Sequence, residues 1–198
     1  MATKKKAKVI DKWKQKKWFS VVTPAIFDGR QLCEVVAADD EQLVNRIIRT
    51  SLADVGAGGA SQVAMFTSLR FRITEVKGTT AYTKLIGHEV APSYLKTFAR
   101  RGRSLIHQVI DVKTKEGADL RLKVIAVTGA RVSENTQRNL RAAIMKEVAA
   151  AASNAGLDQL MQDVLYGRLV SGLYNSLKKI TKMRRVEIRK SELKEVFA

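Results

Sequence analysis

Positive charge in this chain is gathered into three runs, and none of them can be packed into an apolar interior. Residues 1–19 hold eight lysines against Asp11 alone. Residues 94–103 add Lys96, Arg100, Arg101 and Arg103 with no acid. Residues 178–198 hold eight basic and three acidic residues. The formal net charge is +17 over 198 residues, and these runs carry nearly all of it. Clustered like charge repels itself and destabilises a compact state unless a polyanion neutralises it. Nucleic acid is the polyanion that fits, because Lys and Arg gain affinity by displacing counterions from phosphates. The core must come from the nearly neutral sequence between the runs. A hydrophobic content of 45% is enough to build one.

Cys33 is the only cysteine, so an intramolecular disulfide and a Cys-based zinc site within one chain are both excluded. No apolar run reaches membrane-spanning length. The N-terminus lacks the apolar stretch of a secretory leader. A reducing, cytoplasmic setting is expected, with no cofactor, no metal and no homo-oligomer.

Residues 1–17 are expected to form a basic extended tail, carrying Lys4, Lys5, Lys6, Lys8, Lys12, Lys14, Lys16 and Lys17. Trp13 and Trp18 lie within or beside it. An indole there can stack on a base or fill a groove, whereas Trp18, Phe19 and Val21 could equally anchor the tail to the core. Residues 18–198 read as a single domain. Leu32 to Val36 predicts a strand. Asp39 and Asp40 suit the cap of a helix carrying Leu43, Val44, Ile47, Ile48 and Leu52. Gly56-Ala57-Gly58-Gly59 fits no nucleotide fingerprint and reads as a turn. Leu69, Phe71 and Ile73 alternate with Arg70, Arg72 and Thr74, a half-buried strand with a basic face. Lys77-Gly78 turns the chain into a strand running through Tyr82 to Val90. A second hairpin joins Leu105–Val112 to 120–126 through Lys115-Glu116-Gly117.

Helical spacing follows. Ser133 caps a helix with the stripe Leu140, Ile144 and Val148, which Gly156 is placed to stop. Asp158 is expected to cap the next helix, with Leu160, Met161, Val164 and Leu165 on one face. Leu169, Val170, Leu173 and Leu177 mark a third, and Val186 and Ile188 a late strand. The fold class is therefore α+β, with mostly antiparallel strands and helices packed beside them.

No catalytic constellation is present. His88 beside Glu89 could serve as a general base, but no second group supports it, and a strand-end or surface histidine is the expectation. Cys33 fits a core position. The cations are better candidates. Arg100-Arg101-Gly102-Arg103 follows an amphipathic stretch with Tyr94, Leu95 and Phe98, and closely spaced arginines can bridge neighbouring phosphates. Lys96, Lys178, Lys179, Lys182, Arg184, Arg185, Arg189 and Lys190 read the same way. Such contacts position a backbone and carry little sequence information. Two other readings stay open: an RNA-modifying or processing enzyme that meets ribosomes transiently, and a membrane-surface helix built on Ile10, Trp13 and the lysines. The latter has a thin apolar face interrupted by Lys14 and Lys17.

Several motifs in order give the chain a resemblance to a known family. They are Lys16-Lys17-Trp18-Phe19 with Pro24 and Phe27, Thr50-Ser51-Leu52-Ala53-Asp54, Gly87-His88-Glu89, and Tyr94-Leu95 with Arg100 to Ile106. Val112 to Gly117, Thr136-Gln137-Arg138 and Arg184 to Ser191 complete the set. Together they resemble an archaeal member of the small-subunit ribosomal proteins known in eukaryotes as S-three-a. The chain stops soon after the last motif, as expected of archaeal members. Met183 departs from the pattern, where a nearby proline is expected, and a looser local turn would follow. The resemblance implies a structural, non-enzymatic component of the subunit's platform, near the messenger exit and the 3′ end of the rRNA. It implies a β-barrel-like sheet flanked by helices. Its implied partners are small-subunit rRNA, neighbouring ribosomal proteins and messenger RNA near the exit, with no membrane. On this view the lysine tail, Trp13, Trp18 and the arginine and lysine clusters named above are the rRNA contacts.

Overall fold

The computed structural model describes residues 13–56 and 62–195. Lys4, Lys5, Lys6, Lys8 and Lys12 lie outside the described residues, as does most of the glycine-rich turn. The architecture is the α+β arrangement expected from the sequence. Eight strands are β1 (Lys17–Val22), β2 (Gln31–Ala37), β3 (Ile47–Ser51), β4 (Thr67–Lys77), β5 (Thr80–Val90), β6 (Leu105–Lys113), β7 (Asp119–Thr128) and β8 (Met183–Lys194). Five helices are α1 (Gln62–Met65), α2 (Pro92–Lys96), α3 (Glu134–Asn154), α4 (Leu157–Leu165) and α5 (Arg168–Lys178). The strands form an open sheet in the order β2-β1-β5-β8-β7-β6, with β4 paired to β5 and β3 to β4. The β1–β5 pairing is parallel, while β1–β2, β5–β8, β6–β7 and β7–β8 are antiparallel.

Two compact units share the chain, residues 1–48 with 72–84 and residues 49–71 with 85–198. In the first, Phe19 and Val21 point inward from β1 and join Ala37, Leu43, Ile73 and Ala81 in a buried cluster. Period-two alternation places Trp18 on the other face, 65% exposed. The tail is thus anchored by Phe19 and Val21, and not by the indole.

The predicted helix over Leu43–Leu52 is absent. Asp40–Gln42 forms only a single 3-10 turn, and β3 begins at Ile47. Asn45 adopts a positive φ of 66°, which no helix tolerates. Its N–H donates to the Ile73 carbonyl and the Ile73 N–H to that of Arg46, so the segment turns onto β4. The β-branched run Ile47, Ile48 and Thr50 then favours extended backbone. Helical spacing of apolar residues was misleading because β-branching and a left-handed asparagine outweigh it.

The second unit holds all five helices. Its long hairpin β6–β7 is in register from Leu105↔Val127 to Lys113↔Asp119, and β7 pairs in turn with β8. Leu140, Ile144 and Val148 are fully buried along α3, which packs on β6 and on α5. Ser133 caps α3 as expected, its Oγ accepting from the Thr136 N–H at 3.3 Å. The cap of α4 differs from expectation. Gly156 occupies the N-cap with ordinary extended backbone, and Asp158 lies in the first turn. The Leu157 N–H donates at 3.3 Å to the carboxylate of Glu116, from the β6–β7 turn. A Cβ at Gly156 would stand 2.5 Å from that carboxylate, so the glycine admits a cap supplied from another hairpin. Met183 opens β8 directly, buried and opposite Thr128.

Candidate nucleic-acid interface

Strand β8 carries cations at nearly every outward position, and the fold sorts them into two kinds. Lys190 is ion-paired to Glu192, which also meets Lys123 at 3.1 Å. On the neighbouring strands Asp111 accepts from Arg121 at 2.7 and 2.9 Å and from Lys194 at 2.9 Å. Those two cations hold the Asp111 carboxyl well below the usual carboxylate range. Arg70 on β4 donates to Glu89 on β5. The basic sheet faces read from the sequence are thus largely neutralised by cross-strand partners.

Arg185 is also engaged internally. Its Nε donates to Glu187 at 2.9 Å, and its terminal nitrogen to the Tyr94 hydroxyl. The guanidinium lies 5.1 Å from the Tyr94 ring centroid and 4.9 Å from that of Phe98. Phe66 stacks on the far side of Tyr94 at 4.8 Å, and Phe98 meets it edge-on. Burial pushes the Glu187 carboxyl up, and Arg185 offsets part of that rise. Burial, then Glu187, pushes the Tyr94 hydroxyl up. Arg185 is therefore a brace that ties α2 to β8.

The remaining cations behave differently. Arg100, Arg103 and Arg184 line one cleft of about 210 Å³ with Thr97, Phe98, Val127 and the braced Arg185. Arg101 stands with Arg100 and Arg103 on the adjoining cleft of the same turn. Lys96 and Arg189 meet at a third cleft, of about 250 Å³, over Leu95, Ala99, Leu105 and Ile125. No acid lines any of these clefts. Among the described residues, no carboxylate ion-pairs with Lys96, Arg100, Arg101, Arg103, Arg184 or Arg189. Segments more than eighty positions apart in sequence are thus brought together around α2, because β8 and α2 both pack on β7. Sequence reasoning missed His107 and Pro92, which also line the third cleft. His107 from β6 and Arg189 from β8 reach this cleft together only through the folded sheet.

Lys178, Lys179 and Lys182 are exposed where α5 ends and leads into β8. Lys178 sits in the last helical turn, where a cation suits the helix dipole. In the first unit, Lys14, Lys16 and Lys17 are exposed beside Trp13 and Trp18, which are 66% and 65% exposed. The Lys16 ammonium stands 4.2 Å from the Trp13 ring.

His88 is not at the surface. It is buried in β5, with Nδ1 2.6 Å from Ser191 Oγ and Nε2 3.1 Å from the Ile188 carbonyl oxygen. A carbonyl only accepts, so Nε2 carries the proton and the Ser191 hydroxyl donates to Nδ1. Burial lowers the imidazole to about 4. Both ring nitrogens are thus committed to holding β5 on β8, where Gly87, His88 and Glu89 pair with Glu192, Ser191 and Lys190, while the Glu89 carboxylate is taken by Arg70 of β4. Among the described residues no group of His, Cys, Asp and Glu could hold a metal, and no helix is long and apolar enough to cross a membrane.

Comparison with known proteins agrees across nearly the whole chain. The model of the Ribosomal S3Ae family matches residues 4–196. The small ribosomal subunit protein eS1 of Desulfurococcus amylolyticus is 35% identical, covering 98% of this chain and 89% of the relative. That of Archaeoglobus fulgidus is 36% identical over 98% and 92%, and that of Methanobrevibacter smithii 34% over 96% and 97%.

Proposed function

This chain belongs to the Ribosomal S3Ae family, and we propose that it is a structural constituent of the small ribosomal subunit that binds rRNA. The observation that carries the reading is the convergence of un-neutralised Arg100, Arg103 and Arg184 on one cleft free of acids. Strand cations such as Arg70, Arg121, Lys123, Lys190 and Lys194 are paired with acids, whereas these three are left for a polyanion. The names of its archaeal relatives support the subunit assignment.

The finer reading places the protein on the platform, near the messenger exit and the 3′ end of the rRNA, beside other ribosomal proteins. Residues 18–198 form the rRNA-binding body, and residues 1–17 lie along RNA as a basic extension with Trp13 and Trp18 at its root. Lys96, Arg101, Arg189, Lys178, Lys179 and Lys182 extend the same surface. Arg185 and Lys190 contribute mainly through the fold. The test is sedimentation of native extract through sucrose gradients at low and moderate salt. Migration with the small subunit at both is expected. Full release at moderate salt would refute a built-in role, because a few phosphate contacts alone are steeply salt-dependent.

A further inference from the structure

The two clefts on either side of the α2 turn differ in chemistry. One is lined by Arg100, Arg103, Arg184 and Arg185 with no acid in its lining. The other has an apolar floor of Leu95, Ala99, Leu105 and Ile125, with cations only at its rim, Lys96 and Arg189. Phe98 lines the first and Ala99 the second. Consecutive Cα atoms are about 3.8 Å apart, so the clefts adjoin within a single residue step.

A ligand filling both must alternate an anionic group with a flat apolar one over a few ångströms. A nucleotide has that composition, and a base paired within a helix cannot present its face to such a floor. The Arg189 guanidinium and His107 imidazole at the rim supply planar groups on which a base can stack.

We propose that the clefts flanking α2 together bind an unpaired RNA segment, its phosphates on Arg100, Arg103 and Arg184 and one unstacked base over Ala99. The inference rests on the RNA-binding reading above and adds that the site selects single-stranded RNA. Ala99 is exposed, so Ala99→Phe fills the apolar cleft without removing a charge or a core contact. Ala99→Met fills it with a flexible chain should the ring disturb the fold.

The experiment uses the full-length chain with a short single-stranded RNA carrying one 2-aminopurine, and a duplex of equal charge. Wild type is expected to prefer the single strand and to brighten the 2-aminopurine as it leaves its stack. Ala99→Phe should weaken single-strand binding about tenfold, the scale of one lost base contact, with an unchanged salt slope. Arg184→Gln should weaken single strand and duplex alike and lower the salt slope by about one phosphate. Binding of single strand and duplex that Ala99→Phe and Ala99→Met leave untouched would overturn the site while leaving the rRNA reading intact. Equal displacement of the RNA from the apolar cleft by polyglutamate would assign that cleft to an acidic peptide and also overturn it. Binding of neither RNA would overturn the rRNA reading, and this inference with it.

Discussion

Mild acid should loosen this protein through His88. The imidazole is buried and neutral, with a folded pKa of about 4 against an unfolded value of 6.5. The unfolded chain therefore binds a proton more readily than the folded one between those values. Stability from the neutral ring is fully present above pH 6.5 and is lost as pH falls toward 4. The total loss is about 3 kcal/mol at 1.36 kcal/mol per pKa unit, of which about 2 kcal/mol is gone by pH 5. The structure gives the reason. A second ring proton would point at Ser191 Oγ, which now donates to Nδ1 and already accepts the His88 N–H at 3.0 Å. Urea unfolding of wild type and His88→Gln from pH 7.5 to 5 measures the effect, since carboxylate titrations common to both cancel. The stability gap should narrow by about 2 kcal/mol across that range. The chain has only two histidines, so NMR can follow each directly. A constant gap, or a His88 midpoint near 6.5, would refute the reasoning.

Other perturbations test neighbouring joints. A methyl at Gly87 would overlap the Ser191 carbonyl oxygen, which belongs to backbone and cannot swing away. Gly87→Ala should therefore cost about 1–3 kcal/mol in urea unfolding, and an unchanged midpoint would mean that β5 and β8 do not approach so closely. Glu116→Ala removes the carboxylate that caps α4 and should cost about 1 kcal/mol, with the α4 amides losing hydrogen-exchange protection first. Arg184→Gln should leave thermal stability within about 0.5 kcal/mol of wild type. Arg185→Gln should lower it by about 1–2 kcal/mol by stripping the cation from Tyr94, Phe98 and Glu187. Equal stability losses from the two would contradict the division between brace and ligand.

Strand positions were legible wherever alternation was strong, as at Leu69, Phe71 and Ile73, all fully buried. The helix stripe of Leu140, Ile144 and Val148 was equally plain, because each residue reports its own face. The failures fall where a distant residue decides. Asn45 turns toward β4 because Ile73 offers it a carbonyl, and nothing within the Leu43–Leu52 window encodes that partner. Asp158 had the right chemistry for a cap, but Glu116 reaches the helix end from another hairpin. Gly87-His88-Glu89 stood out as a motif, yet its meaning depends on Ser191, about a hundred residues later.

The same logic separates the cations that charge counting treats alike. Sequence counts every cation alike, but a cation's availability depends on what lies across the sheet from it. Lys190 and Arg189 are adjacent on β8, and a β-bulge that leaves Arg189 without a partner on β7 gives them different outcomes. Lys190 turns toward Glu192 and is 17% exposed, while Arg189 reaches the apolar cleft beside Lys96. Arg184 and Arg185 both line the arginine cleft, but only Arg185 is clamped by Tyr94 and Glu187, while Arg184 falls at a second break in register and is exposed. A surface ion pair contributes little to stability, so strand cations such as Arg121 and Lys194 gain little by pairing in energetic terms. Their pairing has a different consequence. It cancels charge across the strands, while the cations in the clefts beside α2 keep no acid in their lining. A field focused in this way orients a polyanion as well as attracting it. The RNA-binding reading proposed above draws on that arrangement, because it separates a cleft able to hold a phosphate chain in one register from a surface that is merely basic.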